Sequence, residues 1–238
     1  KKLKSLTTLI IDGGKVSDVS AFETLPVTSI EIINQLVAQN VAGIAIAAND
    51  ADALQPALTE AMDAGIKVIS LDSAVNKDSR QTHIQQADPE KIGRGLIQAA
   101  YEMVDGNGGI AVLSATAQAT NQNLWIEWMK KELEENPEKY ANTPLIKVAY
   151  GDDDPTKSTS ETQALLTDSS IKVIIAPTTV GMLAAGKVLQ DKQSDVKLTG
   201  LGLPSEMAPF IEDGTCPWMY LWNPVDIGYL SGYTMDAL

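Results

Sequence analysis

The chain has little of the chemistry that catalysis by thiol or imidazole needs. Its 238 residues include one cysteine, Cys216, and one histidine, His83. A lone cysteine forms no internal disulfide, leaves the redox compartment unreadable, and reads as a buried free thiol. Metal centres built on His and Cys are excluded by count. A Ser-His-Asp triad would have to recruit His83, which sits mid-strand, and no nucleophile elbow occurs elsewhere. Basic charge is also scarce. Against 31 Asp and Glu stand 18 Lys and Arg, a net charge of -13, which disfavours nucleic acid and anionic membrane surfaces as partners. No apolar run approaches the ~18 residues of a membrane span. No secretory leader is visible either: KKLKSLTTLII begins basic, but its apolar stretch is short and lacks a small-residue cleavage site. A matured exported protein would have lost that segment, so its absence decides nothing.

What is present is a globular composition, 44% hydrophobic and 21% charged, enough for a core in one large domain or two small ones. Strand-like and helix-like stretches alternate. Strands are expected at residues 7–11, 43–48, 67–71, 82–86, 110–113, 145–150, 172–176 and 197–201. Helices are expected at 29–40 (capped by Thr28 or Ser29), 51–64, 88–104, 156–166, 181–190 and 205–212, with a last one from about Val225. Residues 110–130, IAVLSATAQATNQNLWIEWMK, show the unit most clearly: a buried strand empties into a polar loop and then a helix. Such βα alternation gives a parallel sheet with helices on both faces, and ligands sit beyond the carboxyl ends of its strands.

The residues at those ends suit a neutral, hydroxyl-rich molecule. Asp72 and Ser73 follow the strand at 67–71, and a carboxylate there can accept bonds from adjacent sugar hydroxyls. Capping a helix or facing solvent explains Asp72 about as well. Asn121 and Gln122 each donate and accept, although Asn121 alone could be an N-cap. Pro177, Thr178 and Thr179 start a helix with hydroxyls and free N–H groups, which could meet a ligand or simply cap. Trp222, beside Asn223, offers an aromatic face for a pyranose ring. Trp125 and Trp128 share a helical face and, with Trp218, read as packing.

Several signals fail. GMLAAGKV at 181–188 places Val188 where a phosphate loop needs Ser or Thr, and lies within a helical pattern. GLGLPS at 200–205 lacks the third glycine of a dinucleotide fingerprint. Asp152, Asp153 and Asp154 before Pro155 lack calcium-loop spacing and read as a turn and helix start. No acid pair stands at two strand ends for glycoside hydrolysis. The expectation is a binding protein without cofactor or metal, and not an enzyme.

Longer runs carry a resemblance. IEIINQLVAQNVAGIAIAANDADAL, KVISLDSAV, SATAQATNQNLWIEWMK, YGDDDPTKS, VIIAPTTVGMLAAGKVL, TGLGLPSEM and LWNPVDIGYLSGY resemble the rhamnose-binding proteins of bacterial ABC importers. These are relatives of the autoinducer-2-binding proteins in the type I periplasmic sugar-binding superfamily. The resemblance covers residues 27–238. It implies two doubly wound parallel-sheet lobes closing by a hinge on a sugar, best guess L-rhamnose, in the interlobe cleft, then docking on a membrane permease. The lobes would be 1–86 plus 224–238 and 87–223. It also implies a periplasmic or extracellular site of action, with a lipid anchor one option. The autoinducer-2 binders carry Asp, Asp-Gln and Pro-x-Ala at 72, 121–122 and 177–179. Asp72, Gln122 and Pro177 match, while Asn121 and Thr179 do not, which favours the rhamnose branch. The family often has Trp where Leu71 stands.

That family opens with a full β-α-β unit, for which residues 1–26 are too short, and ends with a further crossing and strands. The expectation is a fold incomplete at both ends: a fragment, a rearranged copy, or a lobe completed by a partner chain. Alternatives to the import receptor are an autoinducer-2 receptor, the effector domain of a sugar-responsive regulator, a sugar hydrolase on the same fold, and a non-functional remnant.

Overall fold

The computed structural model describes residues 8–12, 15–16, 26–48 and 50–238. Thr7, the turn at Gly13 and Gly14, and Asn49 at a strand end lie outside them. The chain divides into two compact units: residues 1–87, 118–121 and 222–238 form unit 1, and residues 88–117 and 122–221 form unit 2.

Unit 1 is a five-stranded sheet. Its elements in chain order are β1 (Thr8–Asp12), β2 (Lys15–Val16), α1 (Pro26–Ala38), β3 (Gly43–Ile46), α2 (Ala51–Asp63), β4 (Lys67–Leu71), a 3-10 turn (Lys77–Ser79) and β5 (Thr82–Ile84). The spatial order is β2-β1-β3-β4-β5. β3, β4 and β5 run parallel, but β1 is antiparallel to both its neighbours. Periodicity had led us to expect parallel strands throughout. The reversal between β1 and β2 supplies the reason. β2 and β3 both oppose β1, so they run the same way, and α1 joins them as a parallel crossover spanning one inserted strand.

Local sequence sets the helices. Asp50 Oδ1 accepts from the Ala53 amide at 3.0 Å and caps α2. Leu54, Ala57, Leu58 and Ala61 form its buried stripe, and Gly65 at φ 87 closes it. α1 begins at Pro26, so neither Thr28 nor Ser29 is its cap; proline's fixed φ suits a first helical turn. The final helix of the fold (Pro224–Ala237) buries Ile227, Ser231 and Met235 and packs on β3, β4 and β5. A Cβ added to Gly43 would stand 2.3 Å from Met235 Sδ, so strand and helix meet there only because residue 43 has no side chain. The opposite face of that helix leaves Val225, Tyr229, Leu230 and Tyr233 exposed.

Unit 2 continues with α3 (Pro89–Met103), β6 (Gly109–Ser114), α4 (Thr120–Glu135), β7 (Leu145–Tyr150), α5 (Pro155–Leu165), β8 (Ile171–Ala176), α6 (Thr179–Asp191), β9 (Lys197–Gly200) and α7 (Pro204–Glu212). α8 (Pro224–Ala237) then returns to unit 1. Its sheet is wholly parallel in the order β7-β6-β8-β9. β6 is buried along its whole length and β8 nearly so, as a sheet covered on both faces requires. Right-handed crossovers from β6 outward in opposite directions place α4 and α5 on opposite faces. Asp88 caps α3 by accepting from the Glu90 and Lys91 amides. Gly93 lets α3 approach α4, since a Cβ there would be 2.5 Å from the Trp125 carbonyl oxygen. Arg94 fastens the same pair of helices, bonding Glu90, Glu132 and Glu135 at 2.8, 2.7 and 2.6 Å. Trp125 is core, as expected, but Trp128 is half-buried beneath two cations, Arg94 at 5.2 Å and Lys131 at 4.1 Å. Cys216 is a free, fully buried thiol whose pKa burial pushes up to about 11. Among the described residues no helix is long and apolar enough to cross a membrane.

Candidate functional site

In unit 1, β4 ends at Asp72, whose backbone turns into the left-handed region at φ 56. A non-glycine residue held there costs about 1–2 kcal/mol, although Asp tolerates it better than most. Two bonds hold the turn: the Asp72 amide donates to the Ile84 carbonyl at 3.2 Å, and the Ser73 carbonyl accepts from Ala48 at 3.1 Å. Asn121 Nδ2 donates to Asp72 Oδ1 at 3.5 Å, a long bond. Beside it, Thr120 Oγ1 donates to the Ala74 carbonyl at 3.1 Å and lies 3.3 Å from the buried Ser73 hydroxyl. Asp72, Ser73 and Asn121 are thus brought together as one cluster.

Gln122 belongs elsewhere. Successive residues on a helix point about 100° apart, and the unit boundary falls between Asn121 and Gln122. Gln122 is buried in unit 2, where its Oε1 accepts from the Ser114 hydroxyl and the Ala115 amide, both at 2.8 Å. It ties the carboxyl end of β6 to the first turn of α4. Pro177 and Thr178 follow β8 and are buried, and Thr179 is exposed at the start of α6. Because the strand order turns back at β6, the ends of β6 and β8 form the switch point where doubly wound sheets hold ligands.

Sequence reasoning missed Asp153. The reading of Asp152 to Asp154 as a helix start is right for Asp154, which caps α5 by accepting from Lys157 at 2.7 Å. Asp152 pairs with Lys157 on the surface. Asp153 turns inward at φ 50 and accepts from Thr178 Oγ1 at 2.5 Å. Burial pushes its carboxyl above the usual range, against the Thr178 bond that lowers it, and the neighbouring Asp152 adds to the rise. A helix start needs one capping acid, so three in a row at a strand end was the available signal.

A second missed cluster lies behind Asp72. Arg80 donates to the buried Ser70 hydroxyl at 2.9 Å, and Ser70 Oγ is 2.8 Å from His83 Nδ1. His83 Nε2 is 3.1 Å from Gln85 Oε1. Since Arg80 can only donate, Ser70 is free to donate onward to a neutral His83 protonated at Nε2. Burial, and then the charge of Arg80, hold the imidazole pKa below its usual value.

Trp222 is half-buried and belongs to unit 1. The Asn223 side-chain oxygen accepts from Val225 at 3.0 Å and caps α8. A shallow depression of about 450 Å³ along α2, lined by residues such as Asp52, Gln55 and Glu60, touches none of these strand ends. Among the described residues no group of His, Cys, Asp and Glu is arranged to hold a metal.

Residues 14–238 match the family model of the periplasmic binding protein domain. An ABC-transporter solute-binding protein from Clostridium phytofermentas, solved with bound L-rhamnose, is 50% identical with a TM-score of 0.86, over 90% of this chain and 68% of that one. A sugar ABC transporter protein from Actinomyces odontolyticus is 39% identical with a TM-score of 0.66, over 92% and 70%. LsrB from Clostridium saccharobutylicum in complex with AI-2 is 24% identical with a TM-score of 0.81, over 92% and 70%. That last likeness bears on the fold alone.

Proposed function

From a chain that belongs to the periplasmic binding protein family and has the fold of sugar ABC-transporter solute-binding proteins, we propose a receptor for a small neutral sugar, L-rhamnose first. Its groups at the carboxyl edges of both units would hold the ligand: Asp72, Ser73, Asn121 and Trp222 from one, Gln122, Pro177, Thr178 and Thr179 from the other. The two units stand for the lobes expected at 1–86 with 224–238 and at 87–223, with residues 87, 118–121 and 222–223 grouped with the first. The carrying observation is the 50% identity to a protein solved with L-rhamnose. The chemistry agrees, because Asp72 sits at a strand end beside an amide and two hydroxyls, a set that accepts from and donates to a polyol.

In this reading the chain binds without turnover, acts outside the cytoplasm and delivers its sugar to a membrane permease. Asn223, whose side-chain oxygen caps α8, joins Trp222 in this set. Isothermal titration with L-rhamnose, D-arabinose and autoinducer-2 tests it. Heat is expected with L-rhamnose, weakened at least tenfold in Asp72→Asn because a bond to a charged group is lost. A flat titration with all three ligands rejects the receptor reading, and a preference for autoinducer-2 rejects the assigned ligand.

A further inference from the structure

Two side chains at the edge of unit 2 are absent from the duties their positions would give them. Thr178 is the N-cap residue of α6, at φ -149 and ψ 138, yet its side chain makes no capping bond. Asp153 precedes the cap of α5 by one residue, and Asp154 fills that role. They bond each other at 2.5 Å instead, joining the loop after β7 to the loop after β8. Ser114 and Gln122 stand at the end of β6, between those two strands in the sheet. Asp153 is half-buried with a like charge, Asp152, as its charged neighbour, and a carboxylate so placed costs stability that an asparagine would not. A cost of this kind at a strand end is the arrangement expected of a functional group.

Resting on the receptor reading above, we propose that Asp153 is a second sugar-binding carboxylate, aimed by Thr178. One oxygen holds the Thr178 hydroxyl, and Oδ2 accepts a hydroxyl proton from the ligand. An ionised carboxylate only accepts, so this edge selects ligands that present a hydroxyl and repels those that present an anion. The site thereby favours a neutral sugar over an anionic uronic acid.

Titration calorimetry with L-rhamnose and D-galacturonate, alongside thermal melting, tests the assignment on the wild type, Asp153→Asn and Thr178→Val. Asn keeps the shape and tolerates the left-handed backbone. In Asp153→Asn the L-rhamnose affinity is expected to fall roughly ten- to a hundredfold. The preference over D-galacturonate should narrow, while the melting temperature holds or rises. Thr178→Val should lose less affinity and keep the selectivity against the anion. Unchanged rhamnose affinity in Asp153→Asn overturns the proposal, and so does an affinity loss matched by a drop in melting temperature, which assigns a structural role. A wild type that binds no sugar overturns the receptor reading as well; a wild type and an Asp153→Asn variant that bind L-rhamnose equally overturn this inference alone.

Discussion

The two units present strand ends of the same kind with different degrees of fixation. At the edge of unit 2 the bonds are short: 2.8 Å twice at Gln122 and 2.5 Å between Thr178 and Asp153. At the edge of unit 1 they are 3.3 and 3.5 Å, at Ser73–Thr120 and Asn121–Asp72. The sheets differ likewise. Unit 2 is purely parallel around two long buried strands, whereas unit 1 mixes directions and is flanked by strands of two and three residues. Unit 2 is therefore the more regular half, and its strand-end side chains meet at the shorter distances.

The contrast can be broken most forcefully at Gly200. Its φ is 149, and a Cβ there would stand 2.0 Å from the Ala176 carbonyl oxygen. Gly200→Ala is expected to cost on the order of 4 kcal/mol and to weaken unit 2, read in urea from the fluorescence of Trp125, Trp128 and Trp218 in a Trp222→Phe background. Next come the cores. Leu58→Ala in unit 1 and Leu113→Ala in unit 2, both fully buried, should each cost about 2–5 kcal/mol. If the units are separate folding bodies, Leu58→Ala leaves the fluorescence transition in place and Leu113→Ala lowers it. A single shared transition in both variants would deny the division.

Smaller effects sharpen it. Asp50→Ala and Asp154→Ala remove the equivalent caps of α2 and α5, each at about 1 kcal/mol by urea denaturation. Equal losses would place the difference between units in the strand ends and not the helices. The least is expected from pH. The folded His83 pKa lies below the ordinary 6.5, through burial and then Arg80, so the unfolded chain takes the proton first. The stability this provides is whole above pH 6.5 and declines as acid carries the pH down through the folded value. His83 is the only histidine, so the drift belongs to unit 1, its single imidazole resonance follows the titration, and His83→Gln should flatten the profile.

Periodicity and apolar runs made much of the fold legible. Residues 110–113 became β6 with one residue added at each end, and 181–188 proved to be α6, as the failed phosphate-loop match required. The antiparallel β1 was not legible, because side-chain pattern carries strand identity and burial but not direction. The split between Asn121 and Gln122 was not legible either: neighbours in sequence diverge on a helix, and these two are grouped with different units. Asp153 stayed hidden because one acid of three explained the motif. The Arg80–Ser70–His83 chain depends on pairing between β4 and β5, which no local pattern displays.

Gly43 and Met235 carry one further consequence. The thioether occupies the space a side chain at 43 would take, with the sulfur at contact distance from a backbone that cannot retreat. Sulfoxidation would add an oxygen and a dipole at a site with neither room nor a donor provided for it. Peroxide that reaches Met235 should therefore loosen α8 from β3, β4 and β5.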